Sequence, residues 1–152
     1  MVLGSPAPAA WDALAPAERT SDAGSGLSSD QCVIRGKHFF ILGRLEIPVI
    51  DGDHPFTWLC WVSVNEKSFD RACELWAVEG RESEPPYFAW MQSALPYPVG
   101  TLNLQADLVT CPVGERPLIV LHQSEHPLYV EQAKGISKAR VQEIVETALH
   151  GT

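Results

Sequence analysis

His126 and Glu131 stand five residues apart in "EHPLYVEQAKG". A histidine near a carboxylate can do general acid–base work, because imidazole titrates near neutrality. No serine or cysteine sits in a nucleophile elbow or triad setting beside them. The favoured alternative is that His126, just ahead of Pro127, caps a turn. A second constellation is Trp61 with Arg44. A guanidinium over an indole is worth about 0.5–1 kcal/mol when exposed, and an exposed Trp61 would offer a ligand or partner a stacking platform. Glu46 shares that face. The favoured alternative is that the N-terminal segment or the "PPYFAW" loop covers Trp61. A third is "EPPYFAWMQSALPYP", where Tyr87, Phe88, Trp90 and Tyr97 are spaced among four prolines. Such a rigid aromatic segment serves as a groove wall or as an internal clamp, and here the clamp is favoured. A ligand groove, if present, would be shared by Tyr87, Trp90 and the Trp61 face.

Metal chemistry is not indicated. Cys32, Cys60, Cys73 and Cys111 are widely spaced with no Cys-x-x-Cys pair, whereas small metal domains draw two ligands from one short knuckle. Their apolar contexts suit buried, reduced thiols. Asp51 and Asp53 flank a glycine but lack the ligand run of a calcium loop and read as a solvated turn. There is no phosphate-cradling glycine loop, no H-E-x-x-H and no dinucleotide fingerprint, so no cofactor is expected. With 11 basic against 19 acidic residues and a formal net charge of -8, nucleic acid and anionic membrane are poor partners. No apolar stretch approaches the roughly 20 residues of a spanning helix, and "MVLGSPAPAAWDAL" has neither the charged nor the apolar region of a leader. The expected location is cytoplasmic.

These groups must be held by elements that the sequence outlines. Residues 1–30 are rich in Ala, Pro, Ser and Gly and read as a mostly irregular segment, with Trp11 and Leu14 able to dock a short turn. Residues 31–152 form the expected domain. "QCVI", "HFFILGRLEIPVI" and "PFTWLCWVSV" read as strands. Gly52 and Asp53 suggest a two-residue hairpin loop, which sets Ile47 opposite Trp58 and Arg44 opposite Trp61. Trp58 is then core and Trp61 lies on the opposite face. Phe69, Ala72, Cys73 and Trp76 form a helical stripe capped by Asn65 or Ser63. "LNLQADLVT" alternates from Leu102 to Leu108, and "LIVLH" is a further strand. "EHPLYVEQAKG" suits a short helix ending at Gly135, with a strand as the alternative. A last helix runs from its cap Ser137 through Val141, Ile144, Val145, Ala148 and Leu149 to Gly151, with Ile136 and Val141 as a hydrophobic staple. The expected fold is α+β: a single domain with an antiparallel sheet and two main helices on one face.

Five blocks resemble the bacterial domain-of-unknown-function family 2199. They are "LSSDQCVIRGKHFFILGRLEIPV" (Leu27–Val49), "PFTWLCWVSVNEKSF" (Pro55–Phe69), "EPPYFAWMQSALPYP" (Glu84–Pro98), "TLNLQADLVTCPVGERPLI" (Thr101–Ile119) and "HPLYVEQAKGI" (His126–Ile136). The resemblance implies a small bacterial protein with no assigned activity and carries over no catalytic residue. Many members begin with a Cys-x-x-Cys segment that suggests a metal knuckle. This chain begins "MVLGSPAPAAW", so a structural metal is less expected here than in the family at large. Three functional classes stay open. The leading one is a non-enzymatic binding or accessory protein that receives a protein or small molecule on an aromatic face. The others are a small hydrolase-like enzyme using His126 with Glu131 or Glu46, and a homodimeric interaction module.

Overall fold

The structure, a computed structural model, describes residues 1–150. In chain order the elements are β1 (Val2–Gly4), α1 (Ala9–Asp12), β2 (Gly26–Leu27), β3 (Gln31–Ile34), β4 (His38–Ile47), β5 (Phe56–Val64), α2 (Glu66–Glu74), β6 (Tyr87–Met91), β7 (Gln105–Val109), β8 (Leu118–Leu121), α3 (Pro127–Lys134) and α4 (Lys138–His150).

β4 and β5 pair antiparallel from Phe39 opposite Val64 to Ile47 opposite Phe56. β6, β7 and β8 continue as an antiparallel meander. β8 then returns to β4 and pairs with it in parallel, Arg44 opposite Leu118. The five strands β4 to β8 therefore close on themselves as a barrel. A closed meander with an odd number of strands cannot be antiparallel throughout, because its last strand points the same way as its first. This corrects the expected plain antiparallel sheet. The sheet is mixed and closed, and the described residues carry four helices rather than two.

Closure is possible because β4 and β5 are long enough to use one edge twice. β4 pairs β3 along His38–Ile41 and β8 at Arg44. β5 pairs β1 along Thr57–Leu59 and β6 at Val62 and Ser63. At the β4–β8 seam, Gly43 permits the close approach. A side chain there would meet Ile119 Cγ1 at 2.8 Å.

The hairpin register is two residues away from the expected one. Leu45, not Ile47, faces Trp58, and Leu42, not Arg44, faces Trp61. A shift of two keeps every side chain on its expected face, since the strand period is two. The cause is a tertiary competitor for the turn. Ile50 N donates to Ile136 O (2.9 Å) and Ile136 N to Pro48 O (2.8 Å), which pulls the chain beyond β4 into a wider loop. Gly135, at a φ of 85°, lets that contact form. Asp51 is drawn in as well and accepts from Lys138 N (2.8 Å) at the start of α4. Ser137 caps the same helix through Arg140 N (3.1 Å), and Asn65 caps α2 through Ser68 N (2.7 Å).

Two cores lie on opposite sides of the β4–β5 hairpin. The barrel interior holds Leu45, Ile47, Trp58, Met91 and Leu108, closed by Phe69 of α2, Leu128 of α3 and Ile144 of α4. The second core holds Cys32, Ile34, Phe40, Leu42 and Trp61, packed against Ala10, Trp11 and Leu14 of the N-terminal segment. Three helical and strand stripes are shorter than their sequence patterns. In α2 Phe69 is buried, but Cys73 and, just past the helix, Trp76 are exposed. In α4 burial stops after Ile144, and Leu149 is 70% exposed; the expected stop at Gly151 lies outside the described residues. The strand expected from Leu102 starts only at Gln105, because Asn103 takes a φ of 68° and turns Leu102 outward.

Candidate functional site

Where β4 parts from β3 and has just met β8, a gap opens beside the seam, although the five strands are hydrogen-bonded all the way round. Leu108 of β7 and Ile41 of β4 form the floor of the gap, and Leu75 and Trp76, at the end of α2, stand over it. The turn between β7 and β8 closes the far side. The result is a cleft of about 650 Å³, within the roughly 300–1,000 Å³ range of ligand pockets. Its walls are mainly apolar, and Trp76 leaves half of its surface open there.

Arginines fix the cleft's shape. Arg81, in the loop after α2, donates to Trp76 O (2.8 Å), Cys111 O (2.7 Å), Pro112 O (3.1 Å) and Glu115 O (2.9 Å). It thus ties the end of α2 to the β7–β8 turn and sets the width between them. Arg44 sits at the seam. It donates to Arg116 O (3.1 Å), Glu46 Oε2 (3.2 Å) and Cys111 Sγ (3.4 Å), with Glu115 Oε1 at 3.8 Å. Arg116 donates through Nε to Asp30 Oδ1 (2.7 Å). Tyr87 reaches the cleft from β6. Its Oη is buried without a hydrogen-bond partner, and burial followed by the nearby Glu84 charge pushes its phenol above the usual tyrosine range.

Of the candidate binding and catalytic residues read from the sequence, Arg44 and Tyr87 line this cleft and the others lie elsewhere. Glu46 sits on the outer face of β4 as Arg44's partner. Trp61 is fully buried, its indole Nε1 donating to Ser5 O (3.0 Å) and its backbone N to Ser93 Oγ (2.9 Å). It offers no open platform: the N-terminal segment, not the "PPYFAW" loop, covers it. Trp90 is 38% exposed on the outer face of β6, edge-on to Phe88 at 4.5 Å. His126 caps α3. Its Nδ1 accepts from Leu128 N (3.0 Å), so the proton is on Nε2, which donates to Gly100 O (3.0 Å) and Val99 O (3.1 Å). Glu131 faces elsewhere, accepting from Tyr97 Oη (2.5 Å) and Arg140 Nε (2.7 Å). Burial and that carboxylate hold the Tyr97 proton firmly. The His126–Glu131 spacing thus encodes a cap and a helix-to-loop clamp in two separate networks.

All four cysteines are free thiols, and Cys73 is exposed rather than buried. Burial raises Cys32 to about 12. Among the described residues no group of three or more His, Cys, Asp or Glu side chains could hold a metal, and no helix is long and apolar enough to cross a membrane. Sequence reading missed Leu75, Trp76, Arg81, Leu108 and Arg116 as a set. Trp76 was visible as the last member of a helical stripe, but nothing marked it as the member left open.

In comparison with known proteins, the chain matches the family described as an uncharacterized protein conserved in bacteria (DUF2199) over residues 2–136. That span includes the N-terminal cover, the barrel and every wall of the cleft, and stops short of α4. No curated protein and no solved structure matches.

Proposed function

The chain belongs to the bacterial family DUF2199, and from the geometry of its cleft we propose that it is a non-enzymatic binding protein for a small, largely apolar molecule. The observation that carries this reading is the mainly apolar cleft beside the β4–β8 seam. Buried barrel residues Ile41 and Leu108 form its floor, and half-open Trp76 forms its edge. Folding ordinarily removes such surface from water, at about 25 cal/mol per Å² of apolar area. Ile41 and Leu108 are already dry, so the surface a seated ligand would cover is the half-open rim at Trp76. Receipt rather than turnover fits the lining, which has no histidine and whose carboxylates Asp30 and Glu115 lie beside arginines.

The test is titration with phenylnaphthylamine, a neutral apolar dye that fluoresces on leaving water. Saturable binding is expected, weakened at least tenfold by Leu75→Arg, which puts a charged chain into the cleft, and unchanged by Trp90→Ala. Binding unaffected by Leu75→Arg would overturn the assignment. A second reading, a partner or homodimer face, has the exposed Phe88, Trp90 and Val120 on the outer face of β6 and β8 in its favour. A dimer seen by light scattering and dissolved by Trp90→Ala would favour that reading.

A further inference from the structure

We infer that the ligand of this cleft carries an anionic end (carboxylate, sulfonate or phosphate) on its apolar body, received by Arg116 with Arg81 behind it. The inference rests on the cleft reading above and narrows it to one class of molecule. It follows from how the charges are already paired. Arg44 is neutralised, with Glu46 at 3.2 Å and Glu115 at 3.8 Å. Arg116 spends only its Nε on Asp30, and its two terminal nitrogens carry no hydrogen bond among the described residues. Its side chain is 44% exposed, so an open guanidinium edge faces solvent at the cleft. Arg81 has no carboxylate partner among the described residues, and its nitrogens are held by four backbone carbonyls. Carbonyl dipoles orient a guanidinium but do not cancel its full charge. Three guanidinium groups here meet three carboxylates, but two of those, Glu46 and Glu115, lie at Arg44, which leaves Arg116 with Asp30 alone and Arg81 with none among the described residues. The planar fork of a guanidinium matches an oxyanion with two parallel bonds.

The opposite ligand charge has no such receptor. Both carboxylates that line the cleft are already beside an arginine, Asp30 at 2.7 Å and Glu115 at 3.8 Å. A cationic ligand would have to displace one of these pairs, whereas an anionic one meets a free donor edge. The rest of the molecule sharpens the contrast, because the formal net charge is -8. An anion is repelled over most of the surface and is received where arginines gather.

The experiment compares phenylnaphthylamine with anilinonaphthalene sulfonate, the same aromatic frame carrying an anion. The expected result is that the sulfonate binds about tenfold more tightly, equivalent to about 1.4 kcal/mol. Arg116→Gln should remove that advantage, bringing the two dyes to equal affinity. Arg116→Lys, which keeps the charge but not the fork, should restore only part of it. Equal binding of the two dyes to the unmodified protein would overturn the inference while the cleft reading stands. So would an Arg116→Gln variant that keeps the full advantage, or a lysine variant as weak as the glutamine one. If neither dye binds, the cleft reading fails and the inference falls with it.

Discussion

Trp58 and Trp61 leave β5 on opposite faces, and both are dry, at 3% and 0% exposed. Alternation along the strand made their separation legible in the sequence. It could not show that Trp61 is covered, because the cover is the Ala- and Pro-rich stretch around Trp11 and Leu14, whose composition gives little sign of a fixed shape. Each tryptophan fills a different core, so the expected cost of Trp58→Ala and of Trp61→Ala is the same, about 3–5 kcal/mol. Chemical denaturation of the two variants checks this. A markedly smaller loss at Trp61 would mean that the N-terminal cover is only loosely seated. His126 teaches a related lesson. Its position ahead of Pro127 suggested a cap, and both ring nitrogens are indeed bound to backbone groups.

At the level of elements, pattern and pairing were legible to different degrees. The faces of β4 and β5 followed from side-chain type, and the caps of α2 and α4 from Asn65 and Ser137. The hairpin register did not follow, because Ile136, distant in sequence, competes for the backbone beyond β4. The cleft was hidden for a stronger reason: its walls come from β4, α2, β6, β7 and the β7–β8 turn, and no local pattern records that they meet. The seam beside it depends on Gly43. A valine there would push on Ile119 and Pro117, which stand 2.8 and 3.1 Å from the position of its first side-chain atom. Gly43→Val is expected to lower stability by about 1–3 kcal/mol. Hydrogen exchange should show the loss concentrated in β8, and protection in β8 equal to that of the unmodified protein would show that the seam tolerates the added bulk.

Taken whole, the molecule is a closed, mixed barrel with a strongly acidic surface. The α+β class was legible from separate strand and helix patterns. Closure was not, because it depends on β4 using one edge for two partners. The formal net charge of -8 sets up self-repulsion in the folded state. Salt shortens its reach, with the screening length falling from about 10 Å at 0.1 M to about 3 Å at 1 M. The midpoint of thermal unfolding is therefore expected to rise as sodium chloride is added. A fall would mean that ion pairs such as Arg140–Glu131 and Arg71–Glu84 contribute more than the repulsion removes.

The N-terminal cover has a consequence for biosynthesis. Ala9 N donates to Gln92 O at 2.9 Å, Trp61 Nε1 reaches Ser5 O at 3.0 Å, and β1 pairs with β5. Every one of those partners is translated after the segment that seats on it. On the ribosome, residues 1–14 come first and must wait, with Trp11 and Leu14 uncovered, until β4, β5 and then Gln92 have been made. For a nascent chain this is the interval in which that segment is most open to chaperone capture or misassociation, and it closes in two steps, at β5 and then at Gln92.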